Sequence, residues 1–142
     1  MKFDFYLPEE NGEIDIINKR KIRTFLSKNT DRCRLLLYLY KIQPCSLREI
    51  SEKSKVDGRN VYHWFRFLRD MDVITHYNGK DVLISSNHSP ITDIIREKYL
   101  QATDGYFFNK KRDVNYFVIT KSGEEQIPYC CELLNISFKE KL

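Results

Sequence analysis

The sequence predicts an α+β fold built around two helices joined by a tight turn and followed by hairpins. Three observations predict it. A long apolar run ends at a proline and is followed by a capping-box motif. The next segment repeats apolar residues at helical spacing. Two later segments rich in β-forming residues surround short polar turns, as in hairpins.

Composition places the chain among ordinary folded domains. Its 142 residues are 42% hydrophobic and 31% charged, enough for one domain with a buried core. No apolar run is long enough to span a bilayer, so we expect no membrane partner. The first residues lack the apolar region of a signal peptide, which makes the cytoplasm the expected compartment.

Residues 1–28 are predicted to form an N-terminal extension. Apolar residues alternate with polar ones over 3–7, and Asn11-Gly12 is a turn signal, which together favour a hairpin. A helix beginning near Glu13 is the competing prediction. Residues 19–28 are predicted to be helical and basic.

Positive charge is concentrated in two places, although the net charge is only +4. The first segment holds seven cations against one acid, Asp31, and the second is Lys110-Lys111-Arg112. Each cluster is either a solvated surface or a set of phosphate contacts, and the sequence leaves both interpretations open. The seven cations are Lys19, Arg20, Lys21, Arg23, Lys28, Arg32 and Arg34.

Residues 29–142 are predicted to form the main domain. Its most apolar stretch, 33–42, should be a buried helix that is stopped by Pro44. A capping box then starts a short helix, because the Ser46 hydroxyl and the Glu49 carboxylate can each bond the other residue's backbone N–H.

The following helix, predicted over 57–71 with Asp57 as its cap, is the most informative segment. A short capped helix, a tight connection and a longer helix with a polar outer face are typical of a helix-turn-helix. Arginine can donate two hydrogen bonds to guanine and asparagine can pair with adenine, so the outer face has the chemistry of a DNA reader. The predicted buried residues are Val61, Trp64, Phe65 and Leu68, and the predicted base-reading residues are Arg59, Asn60, His63 and Arg66.

Two hairpins are predicted after this helix, with a helix inserted between them. The first pairs 73–77 with 82–85 around Asn78-Gly79-Lys80. The inserted helix starts at Pro90 and ends near Ala102.

The second hairpin is predicted to join 106–108 to 114–119 around Asn109–Asp113. Thr120 can then cap a C-terminal helix near 121–134, which Pro128 either kinks or starts.

These segments resemble winged-helix transcription regulators of the MarR, ArsR and PadR kind. Residues 46–51 resemble their second helix, 56–74 their recognition helix with the first wing strand, and 116–123 the passage from the last wing strand to the C-terminal helix. The resemblance covers roughly residues 30–86 and 114–134. The family usually has glycine where Asp72 stands, and its wing strands lie closer together in sequence.

The resemblance implies a double-stranded DNA-binding transcription regulator that acts as a homodimer on a pseudo-palindromic site. The candidate dimer contacts are the N-terminal region and the final helix. Either Tyr77–Asp81 or the more basic Asn109–Arg112, which is favoured slightly, could be the wing. The predicted phosphate-binding residues are Ser46, Arg48, Lys55, Tyr62, Lys80, Lys110, Lys111 and Arg112.

The main alternative is a winged-helix module that binds protein instead of DNA. The same core would serve both, but such a module should be apolar or acidic on the outer face, where this chain is basic. Phe67 and Asp70 are the residues that fit the alternative. Phe67 is hard to bury on the predicted apolar face and should cover a neighbouring element or a partner.

No motif indicates catalysis, a metal or a cofactor. The sequence contains no Gly-rich phosphate loop or nucleophile elbow, so we expect no enzyme and no catalytic residues. The four cysteines lack C-x-x-C spacing, and Cys33 and Cys130 are predicted to be core residues. Nothing identifies a small-molecule effector.

Overall fold

The computed structural model describes residues 12–104 and 114–137. Within them the chain is mostly helical with a two-stranded antiparallel sheet, which confirms the predicted α+β class. The elements are α1 (Gly12–Ser27), α2 (Thr30–Ile42), α3 (Leu47–Ser54), α4 (Gly58–Asp70), β1 (Ile74–Asn78), α5 (Gly79–Ile84), α6 (Pro90–Asp104), β2 (Asn115–Ile119), α7 (Lys121–Glu124) and α8 (Ile127–Leu134).

Helix α1 follows the competing prediction, since a helix and not a hairpin begins beside Glu13. Gly12 is its first residue, so the strand that a hairpin would need after Gly12 was wrong; Asn11 and the alternation over 3–7 lie outside the described residues. Ile22 and Leu26, spaced one helical turn apart, are buried and hold α1 on the core.

Helix α2 is the buried helix that the apolar run predicted. The Asn29 side chain caps it by accepting a hydrogen bond from the Asp31 backbone N–H at 2.9 Å. Helices α1, α3 and α8 and strand β2 all contact it, which makes α2 the centre of the main core. Its buried residues are Cys33, Leu35, Leu36, Leu37 and Leu39.

The sheet brings together segments that are far apart in sequence. Strand β1 pairs with β2 from Ile74↔Ile119 to Asn78↔Asn115. On the other side of β2, the Phe117 N–H donates to the Cys45 carbonyl at 2.7 Å and Phe117 accepts from the Cys45 N–H at 3.2 Å. The ladder order is therefore Cys45, β2, β1, and it fixes the start of α3 beside the sheet.

The predicted strand over 82–85 was wrong, because helix α5 occupies Gly79–Ile84. Strand β1 already has β2 as its partner, so a returning strand is not needed there. The Asn78 side chain instead accepts a hydrogen bond from the Asp81 N–H at 3.1 Å and caps α5. The Asn-Gly pair is thus a helix start and not a hairpin turn.

Gly79 is required here by close packing. A Cβ on Gly79 would lie 2.5 Å from Cδ1 of Tyr99. Tyr99 belongs to a second, smaller apolar cluster that joins α5, α6 and the beginning of β2. Its buried members are Val82, Ile95, Tyr99 and Tyr116.

Helix α6 confirms the predicted inserted helix and begins at Pro90. Ile95 and Tyr99 are buried, but Ile94 is 44% exposed, so it does not belong to the packed side. The guanidinium of Arg96 donates to the carbonyls of Val82 at 3.1 Å and Asn87 at 2.9 Å and so holds the α5–α6 connection. Residues 106–108 and 109–113 of the expected second hairpin lie outside the described residues, and β2 itself pairs with β1.

The C-terminal segment is two helices rather than one. The Thr120 hydroxyl caps α7 by accepting from the Gly123 N–H at 2.9 Å. Helix α8 then starts at Ile127 with Pro128 in its first turn, as one of the two predictions for this proline required. Cys33 and Cys130 are buried free thiols. Among residues 12–104 and 114–137, no helix has the length and apolar character to cross a membrane.

Candidate nucleic-acid interface

Helices α3 and α4 form a pair joined by three residues, 55–57. The predicted capping box starts α3: the Glu49 N–H donates to the Ser46 hydroxyl at 3.2 Å and the Ser46 N–H donates to the Glu49 carboxylate at 2.8 Å. Ile50 buries the inner side of α3 in the main core. Both ends of this short helix are therefore fixed, one by its cap and the other by the turn.

The turn is held by hydrogen bonds from three directions. Lys55 has a φ of 63°, and its N–H closes the end of α3 on the Ser51 carbonyl at 2.8 Å. The Ser51 hydroxyl donates to the Val56 carbonyl at 2.7 Å. From α2, the Arg34 guanidinium donates to the Ser54 carbonyl at 2.9 Å. These bonds fix where α4 begins relative to α3.

Helix α4 has the two faces that the sequence predicted. The Asp57 carboxylate caps it by accepting from the Arg59 N–H at 3.2 Å. The four residues predicted to be buried are all buried, which anchors one side of α4 in the main core. Its end is sharp, since Asp72 has a φ of 63°, in the left-handed region that favours glycine.

The opposite face of α4 brings the predicted base-reading residues together in solvent. All four are exposed, and so is Tyr62, with half of its surface accessible. The Tyr62 and His63 rings meet edge to face with centroids 5.4 Å apart. The face consists of Arg59, Asn60, Tyr62, His63, Arg66, Arg69 and Asp70, and we call it the outer face.

Arg69 is the member of the outer face that sequence reasoning missed. It is exposed in the last turn of α4, three residues after Arg66. The signal was available, because a residue three positions after Arg66 lies close to it on a helix surface. Among the described residues, the side chains of Arg59, Arg66 and Arg69 have no ion-pair partner.

One edge of the outer face is closed by α1. Phe67 stacks on Phe25 with ring centroids 4.2 Å apart and planes 20° apart. Phe67 therefore covers a neighbouring element, as expected. The Arg32 guanidinium carbon lies 4.1 Å from the centre of the Phe25 ring and 5.2 Å from that of Trp64, which ties α1, α2 and α4 together.

The predicted phosphate-binding residues near α3 differ in what they can still bind. Ser46 is half-buried and its hydroxyl oxygen already serves the cap. Arg48 is exposed and pairs with Glu52 at 3.3 Å, a surface ion pair of little strength. Lys55 is exposed in the turn directly before α4.

Lys80 is exposed, but it lies in α5 and not at a hairpin tip. The Tyr77–Asp81 wing is therefore ruled out as a hairpin. Lys110, Lys111 and Arg112 lie outside the described residues. The other predicted wing, 109–112, therefore also lies outside the described residues.

A polar cleft of about 690 Å³ lies between α3, α6 and β2. Lys98 lines it, and its ammonium donates to the Pro44 carbonyl at 2.7 Å and contacts the Glu49 carboxylate at 3.1 Å. Beside it, burial raises the pKa of the Cys45 thiol to about 12, with a smaller contribution from the Glu49 charge. No cluster of three metal-ligating side chains occurs in 12–104 or 114–137.

Comparison of the chain with models of known protein families, with curated proteins and with solved structures found no match.

Proposed function

We propose that this chain is a winged-helix protein that binds double-stranded DNA with sequence preference and regulates transcription, with α4 as its reader helix. The observation that carries the proposal is the outer face of α4, where arginines and other hydrogen-bonding side chains stand exposed directly opposite a buried apolar face.

The order of elements supports the winged-helix interpretation. Helices α2, α3 and α4 precede two strands, and an extended residue between α2 and α3 adds to the sheet beside β2. A hairpin-like pair that follows a reader helix has the place of a wing. The α5–α6 insertion between β1 and β2 is a departure from the simple arrangement.

The chemistry of the outer face supports duplex DNA as the ligand. The outer face carries three arginines, Arg59, Arg66 and Arg69, and one acid, Asp70. A major groove about 12 Å wide admits an α-helix, and arginine donors fit the guanine edge there. In this proposal Arg59, Asn60, His63 and Arg66 contact bases, with Arg69 added as a phosphate contact.

The remaining cations supply sequence-independent affinity in this proposal. Lys55 precedes α4, Arg48 lies on α3, and the basic segment 110–112 takes the part of the wing. Such contacts release counterions and make binding steeply dependent on salt.

The protein-binding alternative has less support than it had from the sequence. One of the two residues that favoured it, Phe67, stacks on Phe25 within the same chain and is not offered to a partner. Asp70 stays exposed, but it shares the outer face with Arg59, Arg66 and Arg69. The homodimer implied by the family resemblance remains a prediction, and exposed Ile16 and Ile17 on α1 are its candidate contacts.

The test is a salt series of binding to random-sequence duplex DNA, comparing the wild type with the double variant Arg59→Ala/Arg66→Ala. We expect a steep salt dependence for the wild type and weaker binding for the variant, with each arginine worth about 1–3 kcal/mol at a preferred sequence. Replacing Lys111 should weaken all sequences alike and flatten the salt slope. No binding at low salt would refute the proposal, and a pull-down with the α4 face intact would then test the protein-binding alternative.

A further inference from the structure

The basic segment 19–34 is divided by the fold into cations that already have partners and cations that do not. Four of the seven have partners within the chain. Lys19 pairs with Glu125 at 3.9 Å, Arg23 lies 4.6 Å from the centre of the Tyr129 ring, Arg32 stacks on Phe25, and Arg34 pairs with Asp31 and bonds the Ser54 carbonyl.

The other three are exposed, Arg20 and Lys21 on α1 and Lys28 directly after its last residue, and among the described residues their side chains have no ion-pair or hydrogen-bond partner. Sequence alone could not make this division, because partners such as Glu125 and Tyr129 lie about a hundred residues away. These three cations differ in whether they lie on the same side of the molecule as the outer face of α4.

The Phe25–Phe67 stack fixes the answer. Lys28 follows the last residue of α1, and its N–H still bonds the Thr24 carbonyl at 3.2 Å, so it continues the helical pattern. With a turn of about 100° per residue, Lys21 and Lys28 lie about 40° and about 60° from Phe25 in the same rotational direction. The buried residues Ile22 and Leu26 lie on the other side of Phe25. The two lysines therefore lie on the solvent side of Phe25, away from the core.

The same rotation applied to α4 places His63 and Asp70 on the solvent side of Phe67. They lie about 40° and about 60° from Phe67, and buried Trp64 and Leu68 lie on its other side. Since Phe25 and Phe67 are in face-to-face contact, the outward directions from the two helices border the same surface. Arg20 lies about 140° from Phe25 and belongs to the opposite side of α1.

We propose that Lys21 of α1 and Lys28, directly after its end, form a second phosphate-binding row, which flanks the outer face of α4 and contacts the DNA backbone beside the groove that α4 enters. The inference rests on the proposed function and assigns α1 a part in it. It commits to the phosphates of the same duplex as the ligand, because the row holds two cations alongside a face that itself carries a cationic excess.

The helix offers a matched control. The variant Lys21→Gln/Lys28→Gln removes two charges from the α4 side, and Lys19→Gln/Arg20→Gln removes two from elsewhere on the same helix. Both pairs are exposed, and the surface ion pair of Lys19 is weak, so thermal unfolding should place both variants close to the wild type.

Binding of each protein to the same random duplex is measured from 50 to 200 mM salt. Losing two phosphate contacts should lower the magnitude of the salt slope by about 1.8, so that over this range wild-type affinity falls about tenfold more than that of Lys21→Gln/Lys28→Gln. The control should keep the wild-type slope. Equal slopes for the two variants, or an unchanged slope for Lys21→Gln/Lys28→Gln, would overturn the inference while leaving the proposed function in place. Absence of binding by the wild type would overturn both.

Discussion

Segment 19–34 and helix α4 both carry several cations, but four of the seven in 19–34 are held by aromatic rings, carboxylates and carbonyls of the chain itself, whereas the arginines of α4 face solvent. Arg32 stands between Phe25 and Trp64, and burial lowers its pKa. Arg66 has no ion-pair partner among the described residues. The density of charge along the sequence thus does not locate a binding surface. A binding surface is located by the cations that the fold leaves without a partner.

The largest expected effect comes from removing the Phe67 ring, which joins α4 to α1. Phe67→Ala should lower the free energy of unfolding by about 2–3 kcal/mol, because it removes a half-buried ring and its stacking contact with Phe25. Tyr62→Ala, which removes an exposed ring from the same helix, should change it by less than about 0.5 kcal/mol. Chemical denaturation measures both, and equal losses would show that Phe67 is not the junction.

Replacing Arg32 and Arg66 in turn sharpens the comparison, because the two variants should affect different properties. Arg32→Gln should cost about 1–2 kcal/mol of stability, because it removes the stacked guanidinium and its hydrogen bond to the Phe25 carbonyl at 2.8 Å. Arg66→Gln should leave stability within about 0.5 kcal/mol and weaken DNA binding. Measuring unfolding and DNA affinity on both variants separates the two roles; a stability loss for Arg66→Gln as large as that for Arg32→Gln would contradict the division.

A smaller effect is expected at the start of α4. Asp57→Ala should destabilise the protein by about 1 kcal/mol, since the Arg59 N–H loses its cap. Asp57→Asn keeps a capping oxygen and should retain most of the stability. If thermal unfolding finds the two variants alike, the cap is not what fixes this end of the helix.

The last effect appears only above pH 9 and concerns the buried start of α3. The pKa of Cys45 is raised from 9.0 to about 12, chiefly by burial, so the folded state favours the neutral thiol. The associated stability is complete below pH 9 and is lost as pH rises from 9 towards 12. Wild-type stability should therefore fall between pH 8 and about pH 10.5 more steeply than that of Cys45→Ala; identical pH slopes would mean that the Cys45 thiol is not desolvated.

Local signals predicted the helix pair well. The Ser46–Glu49 capping box, the Asp57 cap and the four-residue buried face of α4 depend on neighbours within one or two turns, and each was found as expected. Local signals could not fix the sheet, because β1 pairs with a strand that follows the α5–α6 insertion.

The Asn78-Gly79 pair shows why this failed. Its residues suit a hairpin turn and also a helix cap, and only the contact of Gly79 with Tyr99, twenty residues later, decides between them. The same limit applies to the basic segment, where Arg23 finds its partner on α8 and Lys19 finds its partner directly after α7. At the candidate site, the outer face was predictable from helical periodicity and its border at Phe25 was not.

Site-specific photocrosslinking tests the central claim most directly. A benzoylphenylalanine crosslinker in place of Tyr62, exposed on the outer face of α4, is compared with one in place of Glu132, exposed on α8, using radiolabelled duplex DNA and unchanged wild-type residues elsewhere. If α4 enters the groove, position 62 should crosslink to DNA in a manner abolished by high salt, and position 132 should not. Crosslinking from position 132 alone, or from neither position at salt concentrations where binding is measured, would contradict the assignment of α4 as the reader helix.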